Sequence, residues 1–468
     1  MKEGWKKVSS PEEMGLSSAA FLRFFERHRE LGLHSLVAVR DGKAYTVSVK
    51  PWREEAPHTL FSLSKSFTSM AAGIAQAEGL ISFEDSVADV LRDSLPRDHD
   101  PKLHQVKLRH LLSMSSGLDP VSDQRSLRGK RNWARAILGF KVLHEPGTTF
   151  HYNTMGTYLA GRMAARRTGM SLRDYLLPRL FEPLRIAKPQ WDCCPAGYNT
   201  AGFGLHLSAM DIARTAQLLL NRGVWNGKRL LSKDYLSQAT GIQVSNLNSA
   251  SGENPSDWEQ GYGWQFWRSR HGRYRGDGMY GQVMMIDDRN NLALAVTAGV
   301  NDMGGEMDAL HELMDDLLSM TPGTPHERDS LAKLAEELAF PDPLDDGGAL
   351  FGEGSYITRD GKALRLETPD RDTLRVFYRG RGQWPGYVFT MKRGTAHRGE
   401  FYTPAPGERP QAYLGRFGVR DGVVTVQAVM PEAPYRMKLD ISRSGRGLSV
   451  KMDSVGAESG TFDFTPAG

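Results

Sequence analysis

The sequence predicts two folding units: an α+β domain, in which an antiparallel sheet is flanked by helices and a helical subdomain, and behind it an all-β barrel or sandwich. Three observations predict this. Short β-rich segments lie at both ends of the first unit, around residues 34–49 and from Tyr262 onward, and the long stretch between them has a helical pattern. The two ends are therefore expected to pair into one antiparallel sheet. After the break Thr321-Pro322-Gly323-Thr324-Pro325 and a short charged helix, the period becomes two, and strands such as ALRLE, TLRVFYRG, VVTVQAVM and YRMKLDISR follow one another between Gly, Asp and Pro turns. The boundaries drawn from these shifts are 1–322, a linker at 323–345, and 346–468.

Each element has a local cause. Residues 17–30 form a helix with Ser17 or Ser18 as cap and Phe21, Phe24 and Phe25 as its apolar stripe. Residues 34–40 and 44–49 flank Asp41-Gly42, a hairpin signal. Residues 62–78 form an Ala-rich helix stopped by Gly79. Residues 81–168 read as mostly helical, with a helix at 155–167, and another helix covers 208–221. Strands are expected at YGWQFWRS, RYRGDG, VMMI and LALAVTA, and helices close the domain at 307–320 and the linker at 327–337.

Composition narrows the function. The 468 residues carry 59 Lys+Arg against 55 Asp+Glu, a net +4 that is dispersed, so neither nucleic acid nor an anionic membrane is an expected partner. No apolar run approaches the roughly 18 residues of a membrane helix. The beginning, MKEGWKKVSS, has no apolar segment of a secretory signal. The only two Cys, Cys193 and Cys194, are adjacent and suit neither a disulfide scaffold nor a zinc site. A cytoplasmic location is the resulting expectation, and a homo-oligomer is left open.

Several motifs are set aside. GxSxG, HExxH and EF-hand patterns do not occur, and no metal or cofactor is expected. His99 and His104 lie in a polar loop and are expected to be solvated. GDGMYG, from Gly276 to Gly281, matches GxGxxG, but a strand follows where a dinucleotide site needs a helix. The basic and aromatic run RVFYRGRGQW reads as a strand with one apolar and one solvated face.

Ser62-Leu63-Ser64-Lys65 is an SxxK pattern. A second copy, Ser330 to Lys333, falls in the polar linker helix and is expected to be exposed. At Ser62 an extended segment gives way to an apolar helix, where free N–H groups and the positive dipole end favour a nucleophilic oxygen. Lys65 lies one turn on, on the same face. If that face is buried, the amine loses its proton and becomes a base.

These residues are the centre of a wider likeness. PEEMGLS, FSLSKSFTS, RHLLSMSSGL, PGTTFHYNTMGTYLAG, GFGLHLSAMDIAR, NRGVWNGKRLLS, GYGWQFW and GDGMYGQ run in order over about residues 8–320. Together they resemble the serine β-lactamase and penicillin-binding-protein superfamily, in the class C-like branch with esterases and D-aminopeptidases. The resemblance implies a β-lactamase/transpeptidase-like domain and an acyl-enzyme, with Ser62, Lys65 and Tyr152 catalytic. Tyr152 would serve as a base if Lys65 held its pKa down. The resemblance also implies an oxyanion hole from the backbone N–H groups of Ser62 and Met279, and substrate contacts from Asn153, Thr154, Asp277 and Gly278.

Two departures stand out. The family's YxN run is Tyr152-Asn153-Thr154 here, and its Lys-Thr-Gly is Gly276-Asp277-Gly278, without the cation that grips a β-lactam or peptide carboxylate. The expected substrate is therefore a small carboxylic ester or amide. The alternatives are a D-amino-acid peptidase, a weak β-lactamase, or a catalytically silent ligand-binding member. The basic loop at 125–135 (Arg125, Arg128, Lys130, Arg131 and Arg135) is a candidate replacement for the missing cation.

Overall fold

The structure is a computed structural model, described here for residues 5–119, 124–127, 129–187, 189–247, 255–380, 387–401, 411–456 and 459–467. Helix α1 (Ser18–Arg27) buries Phe21, Phe24 and Phe25. Strands β1 (Leu33–Arg40) and β2 (Lys43–Ser48) are joined through Asp41 and Gly42, whose φ values of 52° and 75° are the left-handed pair a tight two-residue hairpin needs. A single 3-10 turn, Phe61–Leu63, leads into α2 (Ser64–Ala77). Gly79, at φ 73°, ends that segment. Helix α3 (Thr154–Thr168) crosses the helical subdomain, and α4 (Ala209–Leu220) starts from a capping box of Ser208 and Asp211. Strands β3 (Tyr274–Gly278), β4 (Gln282–Asp287) and β5 (Leu292–Ala298) precede α5 (Met303–Ser319).

The sheet runs β2-β1-β5-β4-β3, with two-residue edge strands at Lys6–Lys7 and Trp267–Arg268. The first hairpin meets the last strand antiparallel, Val37 opposite Ala295, so the two ends do pair across the helical middle. Both faces are covered, which is why these strands are apolar throughout. Val37, Val39, Met284 and Ile286 pack with Leu63, Phe67 and Met70. Leu36, Ala38, Val283 and Met285 pack on the other face with Phe21, Phe25 and Leu310.

One expected strand is replaced. Of YGWQFWRS only Trp267–Arg268 is strand. Gln265 takes φ 64°, and its side-chain amide donates to the carbonyls of Leu111 (3.2 Å) and Leu112 (2.7 Å). Those bonds tie the segment to the helical subdomain and break the alternation.

The linker helix α6 (Pro325–Glu337) seats Leu331 and Leu334 in the core shared with α1. Lys333 is exposed (77%) and pairs with Glu337 at 3.8 Å, while Ser330 is half-buried. The expectation of full exposure therefore holds for the Lys and not for the Ser, which sits beside the buried Leu331.

The C-terminal unit comprises β6 (Gly354–Ile357), β7 (Ala363–Asp370), β8 (Thr373–Arg379), β9 (Tyr387–Arg393), β10 (His397–Phe401), β11 (Gln411–Arg420), β12 (Val423–Val429), β13 (Arg436–Ser444), β14 (Gly447–Ser454) and β15 (Gly460–Pro466). It is a barrel and not a sandwich. Nine strands run in the order β9-β8-β7-β6-β15-β14-β13-β12-β11, and β9 closes on β11 through Lys392 opposite Arg416. Strand β10 extends the other half of β11. Leu366, Val376, Phe389, Phe417, Val426, Leu439 and Phe464 belong to its buried apolar core. Within RVFYRGRGQW, residues up to Arg379 lie in β8 with one buried and one exposed face; residues 381–384 lie outside the described residues.

The barrel docks on the first domain through the segment between β12 and β13. Thr59 N–H donates to Glu432 O (2.9 Å), and Trp52 Nε1 donates to Met430 O (3.2 Å). Tyr435 stands edge-on to Phe61 and Tyr280, with ring centroids 6.2 and 5.8 Å apart. Trp52 in turn stacks on His34 at 3.7 Å, and His34 Nδ1 lies 3.1 Å from His58 Nε2.

Both imidazoles are buried, and burial pushes His34 well below its usual value and His58 down to about 4. The unfolded chain therefore binds protons first on acidification. The imidazole contribution to stability is flat above about pH 6.5 and falls as pH drops towards about 4, with His58 alone accounting for a loss on the order of 3 kcal/mol. The urea midpoint of the wild type should lose ground to that of His58→Gln as pH drops across that window; equal slopes would contradict this assignment.

Candidate active site

Phe61, at φ 46°, turns the chain sharply just before Ser62. A non-glycine residue in the left-handed region marks stored strain, and here it lies one residue from the candidate nucleophile. Ser62 sits in the 3-10 turn and Lys65 in the first turn of α2. Lys65 Nζ lies 2.9 Å from Ser62 Oγ and donates to Gly202 O at 2.7 Å. The amine is buried, and that burial lowers its pKa to about 7 against the opposing pull of Asp277. The uncharged amine is thus accessible near neutral pH, with a lone pair available to the Ser62 hydroxyl.

Tyr152 reaches the same point from the loop before α3. Its ring stacks on Trp267 (centroids 5.4 Å apart, planes at 14°), stands edge-on to Tyr262 and lies 5.0 Å from Lys65 Nζ. The three expected side chains are therefore brought together. Their electrostatics differ from expectation at Tyr152. Burial and then the Asp277 charge push its pKa well up, and a side-chain hydrogen bond with Ser62 only partly offsets this. The phenol stays protonated, so it can donate or relay a proton but cannot begin as a base.

Strand β3 brings Gly278 against the Ser62 turn. A Cβ there would lie 3.1 Å from the backbone nitrogens of Ser62 and Leu63 and would overlap Leu60 O. Only glycine allows this approach, which carries the Met279 backbone to the same turn; the Met279 side chain is exposed (53%). The turn after it bends through Tyr280 (φ 65°) and Gly281 (φ 89°). Gln282, fully buried, holds it: Nε2 donates to Met279 O (3.3 Å), Tyr280 O (3.1 Å) and Ala298 O (2.9 Å).

Two expected substrate contacts have other work. Asn153 Oδ1 accepts from the N–H groups of Met155 (2.9 Å) and Gly156 (3.0 Å), so it caps α3 and that oxygen is committed. Asp277 Oδ2 accepts from Trp258 Nε1 (2.8 Å) and Arg275 Nε (3.1 Å), anchoring β3. Thr154 opens α3 with its methyl against Gly202, the residue whose carbonyl holds Lys65. At Gly276, the position of the family's Lys, a Cβ would overlap Ser66 Oγ and lie 2.6 Å from Leu63 Cδ1. The cation is absent there because the position is packed shut against α2.

In the basic loop, Arg128 and the Arg125 side chain lie outside the described residues; Lys130, Arg131 and Arg135 are exposed.

Sequence reasoning missed Gln265, the aromatic group Trp258, Tyr262 and Trp267, Gln282, and the buried Glu306. A signal existed for the last. Glu306 falls on the stripe of Leu310, Leu313 and Leu317 along α5 (i, i+4, i+7, i+11), where an acid is out of place.

The family description "Beta-lactamase" matches residues 20–329. The chain belongs to the β-lactamase family of serine hydrolases. The β-lactamase of Yersinia enterocolitica is 23% identical over 186 residues, 37% of this chain and 42% of that one. That of Escherichia coli strain K12 is 22% identical over 237 residues, 46% and 62%. The chain thus spans about half the length of these curated relatives. Among solved structures, EstCE1, a hydrolase with promiscuous acyltransferase activity, aligns with a TM-score of 0.52 and 16% identity over 64% of this chain and 98% of that one. SurE with D-Leu aligns with a TM-score of 0.51 and 20% identity over 90% and 98%. Both are likenesses of fold.

Proposed function

We propose that the protein hydrolyses small carboxylic esters or amides through an acyl-enzyme on Ser62. The observation that carries this is the buried Lys65 amine 2.9 Å from Ser62 Oγ, with its pKa brought to about 7. The neutral amine takes the Ser62 proton as Oγ bonds to the substrate carbonyl carbon. Negative charge then develops on the carbonyl oxygen, facing the N–H groups of Ser62 and Met279. Collapse expels the alcohol or amine, which takes a proton from Lys65 directly or through the protonated Tyr152. Water repeats the sequence on the acyl group and frees Ser62.

Esters are favoured over β-lactams for a structural reason. Gly276 leaves no room for a carboxylate-gripping Lys, and the Asn153 oxygen is used as a helix cap. A β-lactam is then poorly oriented, and misplacement costs orders of magnitude in rate. A fluorophosphonate should add to Ser62 of the wild type, seen by mass spectrometry, and leave Ser62→Ala unmodified. Short p-nitrophenyl esters should exceed nitrocefin in kcat/KM by about 100-fold or more. Faster nitrocefin turnover would overturn the ester preference.

A further inference from the structure

We infer, on the acyl-enzyme reading above, that Glu306 is a positioning residue for the oxyanion turn and supports it only as the uncharged acid. Glu306 stands in the first turn of α5, fully buried (0% exposed), and neither carboxyl oxygen has a hydrogen-bond partner among the described residues. A Cβ on Gly281 would lie 2.5 Å from Oε1 and 2.7 Å from Oε2, so the carboxyl fills the space directly behind the turn that carries Met279. Gln282 grips the carbonyls of that turn, and Glu306 packs against its Cα side.

A helix N-terminus ordinarily favours a carboxylate. Here desolvation outweighs it. Two charged groups on β3 act on Glu306 among the described residues: Asp277 opposes ionisation and Arg275 favours it. Burial comes first, and the acid is pushed up to about 8. Ionisation would do two things to the turn. It would draw the carboxylate towards Arg275, whose buried Nη2 has no hydrogen-bond partner, and so leave Gly281 unsupported. It would also set a negative charge behind the N–H that must receive the negative substrate oxygen.

Lys65 requires deprotonation near pH 7 and Glu306 requires protonation below about pH 8, so the pH profile of kcat should be a narrow bell. With p-nitrophenyl acetate, wild-type kcat should fall about tenfold or more above that point while KM changes little. Glu306→Gln should lose the alkaline limb and keep the acid one; Glu306→Ala should lower kcat at every pH and also lack the limb. An alkaline limb unchanged in Glu306→Gln, or none in the wild type, overturns the inference. If the variants fail to fold, carboxyl 13C NMR of the glutamate-labelled wild type decides: one glutamate should titrate near pH 8, and none doing so also overturns it. Wild type that takes no fluorophosphonate on Ser62 at pH 7 refutes the acyl-enzyme reading instead, a result the NMR titration does not depend on.

Discussion

Lys65→Met should lower kcat/KM for a p-nitrophenyl ester by about 10³-fold or more, because Ser62 loses the only base within 2.9 Å among the described residues. Lys65→Arg should be nearly as inactive, since a guanidinium does not deprotonate at working pH. In the wild type the same amine sets the acid limb: below about pH 7 it is protonated, and kcat should fall tenfold per pH unit. Stability should move the other way. A Lys whose folded value lies below its unfolded one loses stability as pH falls from 10.5 to about 7, because the unfolded chain takes the proton first. Below that window Lys65 costs on the order of 5 kcal/mol, so Lys65→Met should melt higher than wild type while being inactive. A Lys65→Met protein with wild-type activity would remove Lys65 from the mechanism.

Gly278→Ala should cost about 10²–10³ in kcat. The added Cβ meets Leu60 O and stands 3.1 Å from Ser62 N, so the strand and the nucleophile turn must part, separating the N–H pair proposed to hold the oxyanion. Gly276→Ala is the comparison. Its Cβ meets the Ser66 and Leu63 side chains, so the strain should appear as lost stability, about 1–3 kcal/mol, with a smaller effect on rate. Equal kcat losses in the two variants, measured on samples of matched folded fraction, would show that Gly278 acts through packing alone.

Much of this was legible because it is local. Asp41-Gly42 between β-branched runs specifies its own turn, and the step from extended chain to an Ala-rich helix places Ser62 and Lys65 one turn apart. The strand run after Ala349 follows from alternation alone. Its closure into a barrel was not visible, because β9 meets β11, a pairing with another strand between them in sequence. Asn153 was misjudged by a single position: a helix expected from residue 155 begins at Thr154, which makes Asn153 the cap. The Tyr152 titration was misjudged in sign, since Lys65 was expected to act as a cation whereas it is the desolvation of both groups, with Asp277 close by, that governs them. Gln265 and Glu306 act through segments more than a hundred residues away or across a helix–turn contact, where no periodic signal points.

The seat of Tyr435 bears on how such a protein diversifies. Its ring comes from the barrel yet adjoins Phe61 and Tyr280, immediate neighbours of Ser62 and Met279. Drift in the β12–β13 segment can therefore alter what packs beside Phe61 and Tyr280 while leaving the Ser62–Lys65 pair untouched. A barrel exchanged as a genetic module would bring its own residue to that seat. One wall beside the Ser62 turn is thus encoded apart from the stretch that supplies Ser62 and Lys65, and selection can vary it without touching that pair.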